Sequence, residues 1–324
     1  MLIHDRIYGA INITEEVVVE LINSNPLQRL KKISQDGAPH FIQPIRNVTR
    51  FEHSIGVWYL SFLYKRPIEE QIASLLHDIP HTAFSHVIDF VMADEKHEFH
   101  EKFTNQIILN SEIPGILKKH SIDINKILNK ENYDLLENDL PDLSVDRWDY
   151  FMRDGFMFGL LPIETINLFL DSVRVSENYF YFPDYRVAGL FAVMFMNCSR
   201  LIWLDPTSHG SFFLISQALK IGLENNLITE KDFFSHDEEL ISKLRQCGNQ
   251  KINNLLDRLT PEKNFKYSPK ENAEFYGANK PRYVNPIVEI NGERKRLSEV
   301  VPNMVEYFNE FAQNYKYLGV TQLD

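Results

Sequence analysis

The chain has 324 residues, a formal net charge of −11, 44% hydrophobic and 24% charged residues, which fits a globular protein that buries its own core. The acidic balance argues against nucleic acid as a partner, because a phosphate backbone rewards clustered Lys and Arg. It is compatible with small anionic substrates in a cleft where a metal or a few basic groups set the local potential.

The opening MLIHDRIYGAINITEE has no basic segment followed by an apolar one, and no apolar run approaches membrane length. Two cysteines, Cys198 and Cys247, are too few for a disulfide framework. A cytoplasmic protein without membrane contact is the expectation. In chain order, Arg6 to Ile13 reads as a short strand. Thr14 is then a helix N-cap, with Glu15 and Glu16 in the first turn and Val17, Val18, Leu21 and Ile22 behind them. Glu69 to Leu76 predicts a helix that ends near His77–Asp78, with a restart after Pro80. Ser144 is placed to cap a helix through SVDRWDYFMRDG, with Gly155 as its stop. Leu190–Met196 and Phe212–Leu223 read as helix. RYVNPIVEINGERKRLSEV predicts two short strands around an Asn291–Gly292 turn, and a last helix covers about Val301 to Tyr315.

Chemistry concentrates in one stretch. Six of eleven histidines (His53, His77, His81, His86, His97, His100) lie within 48 consecutive residues, and neutral imidazole is both a metal ligand and a proton carrier near pH 7. His77–Asp78 stands at the end of an apolar helix, where Pro80 gives the backbone a reason to turn and lets adjacent side chains converge. A His–carboxylate set suits a divalent ion with open positions for water and a substrate oxygen. The plainer reading is that Asp78 caps the next turn and His77 packs. Asp146, Tyr150 and Arg153 fall at i, i+4 and i+7 on one helix face. A surface pair is the plainer reading of Tyr150 and Arg153. His4, His40, His120, His209 and His236 read as surface or packing residues.

Three motifs together, RFEHSIGV at Arg50–Val57, LLHDIPHTAFSH at Leu75–His86 and VDRWDYFMRDG at Val145–Gly155, resemble the HD-domain phosphohydrolases. More narrowly they resemble the branch that holds bacterial dNTP triphosphohydrolases and the vertebrate SAM-and-HD-domain dNTPase. DRIYGAINI, LQRLKKISQDGAP and the C-terminal RYVNPIVEINGERKRLSEV extend the resemblance over most of the chain. It implies a mainly α fold: a helical HD core over residues 1–160 with an N-terminal substrate-side segment, and a helical C-terminal region over 161–324 with a small β-hairpin. One continuous domain is the alternative. It implies a divalent ion (Mn, Mg, Fe, Ni, Co or Zn) held by His53, His77, Asp78 and Asp146. It implies a phosphate pocket with His81, His86, Asp89 behind His86, and His100, and substrate contacts from Gln35, Arg50 and Tyr150. Arg153, on the face of Asp146, is added to these contacts. A small nucleotide substrate and a homo-oligomer, dimer or tetramer, complete the expectation.

In chemical terms, the ion would acidify a water and polarise a phosphoryl oxygen, and His86 steadied by Asp89 would shuttle a proton to the leaving oxygen. The sequence departs from the branch in SRLIWLDPTSHG, Ser199–Gly210. Asp205 and Pro206 stand there in place of a His–Lys pair that grips triphosphate, and Arg200 or Lys220 are the residues available to restore the charge. Three readings follow. The first is a dNTP triphosphohydrolase yielding deoxynucleoside and triphosphate. The second is a nucleotide phosphatase or phosphomonoesterase releasing orthophosphate. The third is a nucleotide-binding sensor with a retired site.

Overall fold

A computed structural model describes residues 1–92, 102–129, 132–176 and 178–323. The chain opens as a hairpin, β1 (Leu2–Asp5) against β2 (Gly9–Asn12), rather than as one strand from Arg6. Asp5 makes the turn, its Oδ1 accepting from Ile7 N at 2.7 Å and Tyr8 N at 3.0 Å. Helix α1 (Glu16–Ile22) follows with Glu15, not Thr14, at the N-cap position and no side-chain cap. A short α2 (Asn25–Arg29) starts on Pro26 near its N-terminus.

Two long helices and one from later in the chain frame the interior. Helix α3 (Arg50–Leu63) begins with a capping box between Thr49 and Glu52. Helix α4 (Ile68–Leu76) packs along it, and Ser61 Oγ and Ser74 Oγ meet at 2.7 Å in their buried seam. After His77 the helix does not restart beyond Pro80. The chain turns instead, with positive φ at Phe84 (62°) and Ser85 (51°), before α5 (Val87–Val91). This irregular loop is pinned from afar: Asp237 accepts from Phe84 N at 2.8 Å and from Ser34 N at 2.9 Å. Helices α6 (Thr104–Leu109), α7 (Ile113–Lys119) and α8 (Ile124–Leu128) are short. Helix α9 (Val145–Met157) is capped by Ser144, whose oxygen accepts from Arg147 N. Gly155 does not stop it. A Cβ there would lie 2.4 Å from Leu161 Cδ1, so this glycine permits close packing inside the helix.

The C-terminal half is helix and small sheet. α10 (Ile163–Ser172) leads to β3 (Arg174–Val175) and β4 (Phe180–Phe182). α11 (Tyr185–Cys198) widens into a π-turn over Ser199–Trp203. α12 (Pro206–Glu224) restarts with Asp205 as N-cap and Pro206 at N1, where a missing N–H costs nothing. α13 (Asp237–Gln246) and α14 (Gln250–Leu256) pack beside it. β5 (Phe265–Tyr267) and β6 (Phe275–Ala278) flank β9 (Tyr317–Gln322). β7 (Ile287–Ile290) and β8 (Glu293–Arg296) form the expected hairpin, with Asn291 (φ 53°) and Gly292 (φ 82°) both in the left-handed region its turn needs. β7 also pairs in parallel with β4, which ties the hairpin to the α9–α11 aromatic core. Helices α15 (Leu297–Val300) and α16 (Asn303–Asn314) follow the hairpin.

The fold is mainly α, and its principal core runs from Ile7 to Phe311, drawing on both halves of the chain. Among the described residues no single helix is long and apolar enough to cross a membrane. The tightest approach is between α3 and α9: a Cβ on Gly56 would sit 1.8 Å from Asp149 Oδ1 and 2.4 Å from Arg153 Nη2. Gly56→Ala is therefore expected to destabilise the protein by about 1–3 kcal/mol through overpacking, read as a lowered urea midpoint. Gly115→Ala, where a Cβ meets nothing within 4 Å, serves as the control.

Candidate metal centre

Three elements deliver the four side chains named from the motifs. α3 presents His53 from its first turn, the end of α4 presents His77 and Asp78, and the first turn of α9 presents Asp146. His53, His77 and Asp146 each offer one ligand atom, all within 4.8 Å of one another. Asp78 completes the ring less tightly. Its Oδ1 is 3.3 Å from His77 Nε2 and 3.2 Å from His81 Nε2, and its Oδ2 is 3.7 Å from His53 Nε2 and 2.9 Å from Arg50 Nη1.

Both imidazoles are oriented from behind. His53 Nδ1 lies 2.8 Å from Asp149 Oδ2, and His77 Nδ1 lies 2.7 Å from the carbonyl of Ser74. A carboxylate and a carbonyl can only accept, so each Nδ1 carries its hydrogen and each Nε2 faces the centre. Among the described residues, buried His77 Nε2 has no hydrogen-bond partner, which fits a lone pair directed at a cation. Two imidazoles and two carboxylates are a donor set that fits a hard or borderline divalent ion and leaves coordination positions open. The residues could thus hold a metal, and the donor chemistry does not select which.

Charge around the centre is tightly coupled. Burial lowers the pKa of His53, but hydrogen bonds to Asp146 and Asp149 and the charge of Asp78 reverse this and push it up to about 10. Burial likewise raises Asp146, and His53 and His77 more than reverse that, holding it well below the carboxylate range. Asp149 is buried and still lowered, chiefly by Arg153 and then by His53.

A cleft of about 370 Å³ opens above the ligands. Gln35, Arg50, His81, His86 and Tyr150 line it. His86 Nδ1 is 3.4 Å from Asp89 Oδ2, and the His81 and His86 rings meet edge-on at 5.1 Å. Enclosure first, and the charge of Arg50 with a smaller share from Arg282, lower the His86 pKa against the pull of Asp89. Buried Gln35 Oε1 has no hydrogen-bond partner among the described residues. Arg50 serves the site from within: it grips Asp78, donates from Nε to Ser85 Oγ at 2.9 Å, and donates to the Gln35 carbonyl at 3.2 Å. His100 lies outside the described residues.

One expected contact is corrected. Arg153 does not reach the cleft. It is fully buried, donating from Nε and Nη2 to Asp149 at 2.9 Å each and from Nη1 to Asp5 Oδ2 at 3.0 Å. Seven residues of helix are about 10 Å of rise, which carries it past the cleft and beneath the N-terminal hairpin. Other residues join the site unannounced. Asp149 has the one sequence signal that was available, an acid one turn beyond Asp146. His209, read as packing, lines the cleft with Nε2 buried, and burial pushes its pKa down to about 4. Arg282, Lys280, Trp203 and Asp154 line it as well. Asp205 caps α12 and pairs with Arg46 at 3.0 Å, while Arg200 lines a separate small groove with Tyr307 and Glu310.

Comparison with known proteins agrees with the geometry. The HD-domain family matches residues 50–154. YdhJ, an uncharacterized protein of Bacillus subtilis, is 34% identical over 99% of both chains. The metal-dependent phosphohydrolase cns2 of Cordyceps militaris is 30% identical, covering 93% of this chain and 89% of its own. A SAMHD1 homolog of Dictyostelium discoideum, named a deoxynucleoside triphosphate triphosphohydrolase, is 25% identical over 75% of this chain and 54% of its own, so the chain spans about half of that relative.

Two outcomes are expected. Asp149→Ala frees the ring of His53 to rotate and weakens metal binding tenfold to a hundredfold, measured by calorimetric titration with Mn²⁺. His53 near 10 is protonated at pH 7, yet a ligand nitrogen must be bare. Binding should then release at least one proton at pH 7 and tighten as pH rises, read from titrations in buffers of different ionisation enthalpy.

Proposed function

The chain belongs to the HD-domain metal-dependent phosphohydrolases, and from that premise we propose that it hydrolyses a phosphate ester or anhydride of a nucleotide, with a dNTP as the leading substrate. The products would be deoxynucleoside and triphosphate. The carrying observation is the convergence of the His53 and His77 Nε2 atoms and the Asp146 carboxylate at the floor of a cleft. A divalent ion there supplies Lewis acidity toward a phosphoryl oxygen and a more acidic water.

The chain's own residues then divide the work. Arg50 fixes Asp78. Partly exposed His86, backed by Asp89, carries a proton to the leaving oxygen. Its lowered pKa favours the neutral ring, which would take a proton from the attacking water and then give it to the leaving oxygen. Tyr150 and Trp203 stand edge-on at 5.1 Å and form an aromatic part of the cleft wall. The name of the Dictyostelium relative and the three motifs support the dNTP class.

A second reading, a nucleotide phosphomonoesterase releasing orthophosphate, has one observation in its favour. Arg46, on the cleft wall, is engaged by Asp36 at 3.2 Å and Asp205 at 3.0 Å, which leaves little free charge for a long phosphate chain.

The test is purified protein with Mn²⁺, Mg²⁺, Ni²⁺ or Co²⁺ and a panel of ribo- and deoxynucleotides, assayed for orthophosphate, pyrophosphate and triphosphate. Triphosphate with nucleoside is the expected product pair. Orthophosphate selects the second reading, and no turnover of any nucleotide rejects both. In the active pairing, Asp78→Ala should abolish turnover, and His86→Ala should lower kcat by roughly 10²–10⁴.

A further inference from the structure

Almost every cation on the cleft wall already has an anion or carbonyl partner. Arg50 is bound to Asp78, and Arg46 to Asp36, Asp205 and the Ile202 carbonyl. Arg147 donates to the carbonyls of Asn138 and Asp142. Helix α12 contributes Ser208, His209 and Phe212 to the wall and no charge.

Arg282 differs. It lies in the segment between β6 and β7, lines the cleft, and among the described residues pairs with no carboxylate. Its guanidinium is instead seated on aromatic surface. The Cζ is 5.6 Å from the centre of the Tyr150 ring and 5.8 Å from that of Trp203. The seat is itself anchored, since Trp203 Nε1 donates to buried Asp154 at 2.7 Å and the Arg282 backbone N donates to Ser199 Oγ at 3.2 Å. A guanidinium on an aromatic ring keeps its N–H groups available for a planar, bidentate grip on oxygen anions. Arg282 lines the cleft together with His86, whose pKa its charge helps to lower. Exposed Lys280, two residues earlier, also borders the cleft.

We propose that Arg282, assisted by Lys280, is the residue that binds the phosphate of the substrate, gripping its non-bridging oxygens. This deepens the proposed reading and rests on it for the ligand class, a phosphate group. The inference concerns the anion alone, and not the sugar or base.

Binding tests it without turnover. Mn²⁺-loaded wild type, Arg282→Ala, Arg282→Lys and Lys280→Ala are titrated by calorimetry with inorganic triphosphate, with orthophosphate and with deoxyadenosine. Loss of a charge-assisted bidentate contact should weaken triphosphate and orthophosphate binding by roughly tenfold to a hundredfold in Arg282→Ala. The dependence of affinity on salt should become shallower. Arg282→Lys should recover part of the loss, because a point charge attracts but does not fork. Lys280→Ala should show a smaller loss. Deoxyadenosine binding should be unchanged, which separates anion recognition from collapse of the Tyr150–Trp203 wall. Unchanged anion affinity in a folded Arg282→Ala protein, equal losses for deoxyadenosine, or absence of anion binding in wild type overturns the proposal. Failure of the nucleotide panel with anion binding intact would instead reject the hydrolytic reading and leave Arg282 in place.

Discussion

Everything at the metal centre depends on one carboxylate that never touches the cleft. Asp149 is fully buried and accepts four hydrogen bonds, two from Arg153, one from Tyr8 and one from His53 Nδ1. Taking a carboxylate and a guanidinium out of water costs several kcal/mol per ion, and the pair between them repays this only with good geometry and full hydrogen bonding. Here that condition is met. Asp5 takes the last free arm of Arg153, so a network of charges binds the N-terminal hairpin to α3 and α9. What such a network yields is position more than stability. His53 is held in one tautomer and one ring orientation, and the close crossing of α3 over α9 at Gly56 makes the arrangement hard to relax.

The same logic explains how the sequence was legible where it was. Ligands at helix ends leave a pattern: a capping signal at Thr49 or Ser144, an apolar run before His77, a proline just after. Each of these marks where the backbone must turn, and at those turns neighbouring side chains can share one target. The meeting of the four candidate ligands and the Asn291–Gly292 hairpin were readable for that reason. Arg153 was not, because a shared helical face does not fix how far along the axis a side chain lies from the cleft. Tyr150, one turn from Asp146, stays at the cleft, whereas Arg153, two turns away, meets the hairpin and Asp149. Thr14 and Gly155 illustrate the same limit on a smaller scale. A residue suited to a cap or a stop adopts that role only if tertiary packing leaves the helix end there.

The wall of the cleft was the least readable part, since its residues come from segments that share no pattern. Trp203 arrives from a π-turn and Arg282 from a connection between sheets. Their meeting is a product of long-range topology, notably the parallel pairing of β7 with β4. Histidine counting could not place His209 either. Its helix begins only because Asp205 and Pro206 restart the chain after the π-turn, and that restart turns Ser208, His209 and Phe212 toward the cleft.

Those two residues also shape the field inside the site. Asp205, Asp36 and Asp154 gather near a single guanidinium, that of Arg46. Three carboxylates against one cation leave that stretch of wall anionic wherever all are ionised. Burial accordingly raises both Asp154 and Asp205, with Asp36 adding to the shift in each. Arg46 is already paired there, so that stretch offers a phosphate no free cation, whereas Arg282 pairs with no carboxylate among the described residues. A hydroxyl or amino group, by contrast, finds acceptors there. The cleft wall thus carries both acceptors and a cation. A substrate with an anionic end and a hydrogen-bond-donating end has one orientation in it that satisfies both.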